Sequence, residues 1–146
     1  MLQLILIDLI PALLSWEAPA DEPSVPEGVE AVLDELYARC RLAGITDADR
    51  PAATVRDLLE DLGIGEFFDS VGTSADFGPT LTVRVIRRIV RSLGVHPDEV
   101  AVVTARPALA ERLSRTRFAV VLVEGPDGIL GLPEAIDAIE DGRVIP

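Results

Sequence analysis

The sequence predicts an α/β domain, a three-layer open parallel sheet of about five strands with helices on both faces. Two observations carry this prediction. Apolar segments recur at residues 2–7 (LQLILI), 41–46 (RLAGIT), 100–104 (VAVVT) and 118–123 (FAVVLV), and strands apolar on both faces are what a sheet covered by helices on each side requires. Between them, apolar residues return at helical spacing, so that strand and helix alternate and each crossover returns to one sheet.

Taken in order, residues 2–7 form the first strand, closed by the carboxylate of Asp8. Residues 16–28 are rich in Pro, Glu and Asp and predict a surface loop. Val29, Val32, Leu33 and Leu36 then set a helix running to about residue 39, followed by a strand at 41–46. A second helix has Asp49 as its cap, Pro51 in its first turn, Val55, Leu58, Leu59 and Leu62 on its inner face, and Gly63 at its stop. The FFD turn at 67–69 leads to a short strand at 70–72 and a loop at 73–79. Val83, Ile86, Val90 and Leu93 make the next helical stripe, with Arg84, Arg87, Arg88 and Arg91 on its other side. A helix from near Pro107 joins the strands at 100–104 and 118–123, Ile136 and Ile139 mark a last short helix, and residues 141–146 form a polar tail.

The composition bounds what such a domain can do. The chain of 146 residues is one domain in length, 1–146, and its 49% hydrophobic content is enough for a packed core. A net charge of −12 argues against nucleic acid and anionic membrane as partners and favours a basic protein. All 13 basic residues are arginine, with no lysine anywhere in the chain. Cys40 is the sole cysteine, which excludes an intramolecular disulfide or a cysteine-based zinc site and fits a cytoplasmic location. The first apolar run lacks a basic leader, contains Asp8 and is too short to span a bilayer, so neither a signal peptide nor a membrane segment is expected.

In an open α/β sheet, ligands sit beyond the carboxyl ends of the strands. Those ends carry Asp8, Thr46, the loop at 76–81 and the run Thr104-Ala105-Arg106. With the stretches ITDADRPAATVRDLLEDLGIGEFFDSV and RRIVRSLGVHPDEVAVV in their order and spacing, the chain resembles the haloacid dehalogenase superfamily of phosphatases along nearly its whole length. The resemblance implies a Rossmann-like core and four strand-end elements. The first is an aspartate nucleophile with an acid/base aspartate two residues on. Asp8 matches the nucleophile, but Ile10 stands at the acid/base position and Pro11-Ala12 replace the usual Gly-Thr. The second is a hydroxyl that binds the phosphoryl group, matched by Thr46. The third is a lysine, and Thr80 falls in its place; the fourth is an acidic motif holding magnesium, and Ala105 and Leu109 fall where its acids belong.

These departures shape the expectation. One carboxylate and a backbone carbonyl are a poor cage for Mg²⁺. Without metal or lysine, an attacking Asp8 faces the unscreened charge of a phosphate dianion. Arg84 and Arg106 are candidates for partial compensation, and Asp47, Asp49 and Asp76 for displaced metal ligands. The leading expectation is a catalytically inactive, capless relative of these phosphatases, the loop at 16–28 being too short for a cap domain. It would bind another protein, basic or a second copy of itself, through an apolar surface at Leu9, Ile10, Pro11, Leu13, Leu14 and Trp16. No cofactor is expected, magnesium entering only with residual activity. The alternatives are a non-hydrolytic site for an anion or phosphometabolite built on Thr46, Thr80 and Arg106, and a phosphatase with a relocated metal site. More modest roles also fit: Asp8 accepting loop amides, Thr46 capping the next helix, the arginines as a solvated helix face, His96 as a turn residue and Trp16 as core.

Overall fold

A computed structural model describes residues 2–13, 24–46, 52–73 and 81–141, with the side chains of residues 11, 126 and 127 left aside. Five strands form one parallel sheet: β1 (Leu4–Asp8), β2 (Arg41–Thr46), β3 (Ser70–Thr73), β4 (Val100–Thr104) and β5 (Ala119–Leu122), in the spatial order β3-β2-β1-β4-β5. The helices are α1 (Leu9–Ala12), α2 (Val29–Tyr37), α3 (Ala52–Asp61), α4 (Val83–Ser92), α5 (Pro107–Leu113) and α6 (Leu132–Glu140). This is the expected α/β architecture. Its strand order reverses at β1, whose neighbours are β2 and β4, so the switch point lies at the carboxyl end of β1, where Asp8 stands.

Strand alternation divides the core in two. Ile5 and Ile7 of β1 join Leu33 and Leu36 of α2, Val55 and Leu59 of α3 and Ile136 of α6 on one face. Leu4 and Leu6 join Val85, Ile86, Ile89 and Val90 of α4 and Leu109 and Leu113 of α5 on the other. Every residue of β1 and β4 is buried, which explains the unbroken apolar runs.

The helix boundaries follow from local chemistry. Thr82 caps α4 by accepting the Val85 amide at 3.3 Å, and the four arginines of that helix lie on its exposed side. After α3, Gly63 takes a left-handed φ of 79° while the Ile64 amide reaches back to the Leu59 carbonyl at 3.0 Å, the hydrogen bond that closes a glycine-ended helix. His96 caps the 3-10 turn Pro97–Glu99, its amide donating to Glu99 Oε1 at 3.1 Å. Helix α2 ends at Tyr37, two residues before the predicted point, because the Arg39 and Cys40 amides both turn back onto the Leu36 carbonyl. β3 runs one residue further than predicted, to Thr73, which pairs with Thr46.

The largest correction concerns the segment after Asp8. Instead of offering an apolar surface to a partner, residues 9–12 form the single turn α1, which packs on β2, on β4 and on the turn at Pro126–Gly131. Leu9 and Leu13 are fully buried members of the core, and Ile10 is half-buried against it. Leu9 and Leu13 are therefore not part of an exposed interaction surface. Burial of this apolar turn removes it from water, which stabilises the covered edge of the sheet.

Gly44 makes room for it, since a Cβ there would lie 2.9 Å from Leu9 Cδ1. Gly44→Val is accordingly expected to destabilise the domain by about 1–3 kcal/mol through overpacking. Urea denaturation would read this as a lower midpoint, and an unchanged midpoint would place Leu9 elsewhere.

Candidate functional site

Asp8 is delivered to the carboxyl edge of the sheet by β1 and holds an extended backbone (φ −73°, ψ 98°) at the start of α1. Its residue is wholly inaccessible to solvent. Ile7 pairs with Val103 of β4, so Thr104 stands beside Asp8 at the strand ends. The Thr104 hydroxyl donates to Asp8 Oδ2 at 2.9 Å and accepts the Arg106 amide at 3.1 Å. That second bond turns the chain so that Arg106 begins α5, with Pro107 fixing its first helical position.

The Arg106 side chain then closes over the carboxylate. Its Nε lies 3.2 Å from Asp8 Oδ2, and its Nη2 donates to the Ile10 carbonyl at 3.1 Å. The pair is asymmetric: the Arg106 side chain is 33% exposed, whereas that of Asp8 is 0% exposed. A buried carboxylate is tolerated only when paired and hydrogen-bonded, and Thr104 with Arg106 supplies both.

Thr46 lies one residue beyond Ile45, the β2 partner of Asp8. Its hydroxyl is buried and has no hydrogen-bond partner among the described residues. Of the residues singled out from the sequence, the structure thus joins Asp8, Ile10 and Arg106 in one cluster and sets Thr46 one register step away. Thr80, Leu14 and Trp16, with Asp47, Asp49 and Asp76 as displaced ligands, lie outside the described residues, as do the Pro11 side chain, positions 16–23 of the loop and 142–146 of the tail. Cys40 sits at the opposite end of β2 and is buried, which pushes its thiol above the ordinary range and makes it a poor nucleophile.

Thr104 is the residue that sequence reasoning left without a role. A hydroxyl ending an apolar strand two residues before an arginine was its only signal, and that pattern is common in turns.

Among the described residues the donor set does not suit magnesium. Ala105 and Leu109 offer no side-chain oxygen, and two hard oxygens of the strand-end cluster, Asp8 Oδ2 and the Ile10 carbonyl, are already engaged by Arg106. Among the described residues no group of three acidic, histidine or cysteine side chains converges as a metal site.

No family model matches the sequence, and no curated protein does. Solved structures do match in shape. A haloacid dehalogenase-superfamily hydrolase of subfamily IA from Geobacter sulfurreducens superposes with a TM-score of 0.69, over 92% of this chain and 100% of that one, at 13% identity. The chain has the haloacid dehalogenase-like fold. A haloacid dehalogenase-like family hydrolase from Streptococcus pneumoniae agrees, with a TM-score of 0.68 over 84% of each chain at 14% identity. So does a haloacid dehalogenase-like protein of unknown function from Agrobacterium tumefaciens, with a TM-score of 0.65 over 96% of this chain and 100% of that one, also at 14% identity. At such identities the likeness is one of fold. In an open α/β sheet the crevice at the switch point is where ligands bind, and here the carboxyl end of β1 holds a buried carboxylate. No helix among the described residues is long and apolar enough to cross a membrane.

Proposed function

We propose that this chain is a catalytically inactive domain of the haloacid dehalogenase-like fold, a pseudophosphatase, that works by binding another protein or a second copy of itself. The observation that carries the reading is the state of Asp8. A nucleophile must bring its oxygen to within about 3–3.5 Å of the reacting atom along an open line of approach. Asp8 is wholly buried, and its Oδ2 is held by Thr104 and Arg106. Its charge is partly spent on the guanidinium, which lowers its nucleophilicity further. Ile10, at the position where an acid or base would work, has no proton to give or take.

Two surface features support a binding role. The net charge of −12 draws a basic partner and disfavours anionic ones. Leu122, on edge strand β5, is 52% exposed, and Tyr37 and Leu130 are also large exposed apolar groups. Among the described residues, large apolar side chains are therefore available to a partner at these positions rather than at Leu9 and Leu13.

A second reading rests on Thr46, whose buried hydroxyl has no partner among the described residues: a non-hydrolytic anion site at the strand ends. One experiment separates the readings. Hydrolysis of p-nitrophenyl phosphate with Mg²⁺ is expected to equal that of Asp8→Asn, with the thermal midpoint unmoved by inorganic phosphate. A phosphate shift lost in Thr46→Val would favour the anion site. Magnesium-dependent turnover abolished by Asp8→Asn would overturn the inactive reading.

A further inference from the structure

We infer that Arg106 is the resident cation of the strand-end site, standing in the place that a divalent metal would need. The oxygens that converge there are of the kind a hard cation selects, one from a carboxylate and one from a backbone carbonyl. Both meet a single guanidinium, Asp8 Oδ2 at 3.2 Å from Nε and the Ile10 carbonyl at 3.1 Å from Nη2. A planar, permanently charged fork can serve two convergent acceptors at once. Magnesium would need both oxygens turned to it at about 2.0–2.1 Å, with waters completing its octahedron, and here the guanidinium engages both.

The cation is also fixed by its own backbone. Thr104 Oγ1 donates to Asp8 and accepts from the Arg106 amide, so carboxylate, hydroxyl and arginine form one closed ring of contacts. Pro107 holds the start of α5 and keeps the arginine over the carboxylate. A covalently delivered cation cannot dissociate, so the neutralising charge is present whatever the supply of metal. The site thus carries a permanent cation, and its integrity is expected to be independent of divalent ions.

The inference deepens the inactive reading, and its test reads metal binding rather than turnover, so the two can fail separately. Thermal denaturation and Mn²⁺ electron paramagnetic resonance would be recorded for the full chain in EDTA and in millimolar Mn²⁺. The wild type is expected to keep one melting midpoint in both and to bind no Mn²⁺. Arg106→Asp places two carboxylates beside the Ile10 carbonyl. It is expected to melt lower in EDTA, to regain several degrees in Mn²⁺, and to bind that ion at least about tenfold tighter than the wild type. Asp8→Asn combined with Arg106→Asp should abolish the regain. Mn²⁺ bound by the wild type and lost in Asp8→Asn would overturn the inference, as would an Arg106→Asp protein with native stability and no metal response. If Arg106→Asp does not fold, Arg106→Gly and its combination with Asp8→Asn decide by the coupling of their melting midpoints: non-additive losses support the pairing, and additive ones overturn it.

Discussion

Replacing Leu13 with glutamate is expected to abolish the folded state. Leu13 is 0% exposed and packs in the same core cluster as Leu9, Ala12 and Ile136. The substitution removes a buried leucine, worth about 1.5–3 kcal/mol of burial, and leaves in its place a carboxyl group that must be buried either uncharged or unpaired. Combined losses of this kind exceed about 4 kcal/mol, which is comparable with the ~5–15 kcal/mol that holds a domain together. Leu122→Glu, at a position 52% exposed, is the matched control and should change stability by less than about 0.5 kcal/mol. Far-UV circular dichroism during urea titration reads both. A Leu13→Glu protein with the wild-type midpoint would return Leu13 to the surface and revive the apolar strand-end patch as a binding face.

The second large effect belongs to the ion pair. Removing one partner of a fully buried pair costs about 3–5 kcal/mol, chiefly because the other charge stays buried. Arg106 is one-third exposed, so part of its interaction is screened by water, and Arg106→Ala is expected to cost about 2 kcal/mol. For a chain of this size the melting temperature would fall by about 5–8 °C. Asp8→Asn should cost less, since an amide oxygen still accepts from Thr104 and the released guanidinium can rotate into solvent. Differential scanning calorimetry of the two variants checks the order. If Asp8→Asn proved the more damaging, groups other than Arg106 would depend on the carboxylate, and the ion pair would not be its main stabilising contact.

Much of the fold was legible because its determinants are local. The apolar run that ends in LILID is read as a doubly covered strand, and in the structure all five of these residues are buried. The stripe Val83, Ile86, Val90 and Leu93 against four arginines locates α4 and its outer face; the structure buries Ile86 and Val90 as read, adds Val85 and Ile89 to the inner face, and leaves Val83 and Leu93 partly buried at its ends. Gly63 and Gly94 end their helices in left-handed conformations, as a glycine placed after the last apolar position indicates.

The site was only half legible. Asp8 and Thr46 announce themselves as polar residues at the ends of apolar strands. The segment after Asp8 misled, because an apolar run has the same composition whether it faces water or the core. Only the fold of α1 back onto β2 and β4 shows that Leu9 and Leu13 are covered.

The sequence by itself determined the alternation of the five strands with the longer helices and which polar groups end the strands. The tertiary structure decided which of the remaining groups meet. Asp8 and Thr104 are 96 residues apart and become neighbours because β1 pairs with β4 in parallel, which no local periodicity encodes. The same pairing brings Arg106 over the carboxylate and onto the Ile10 carbonyl. Periodicity fixes the direction in which a side chain points, but strand order fixes what it finds there, and strand order is set by the packing of the whole core.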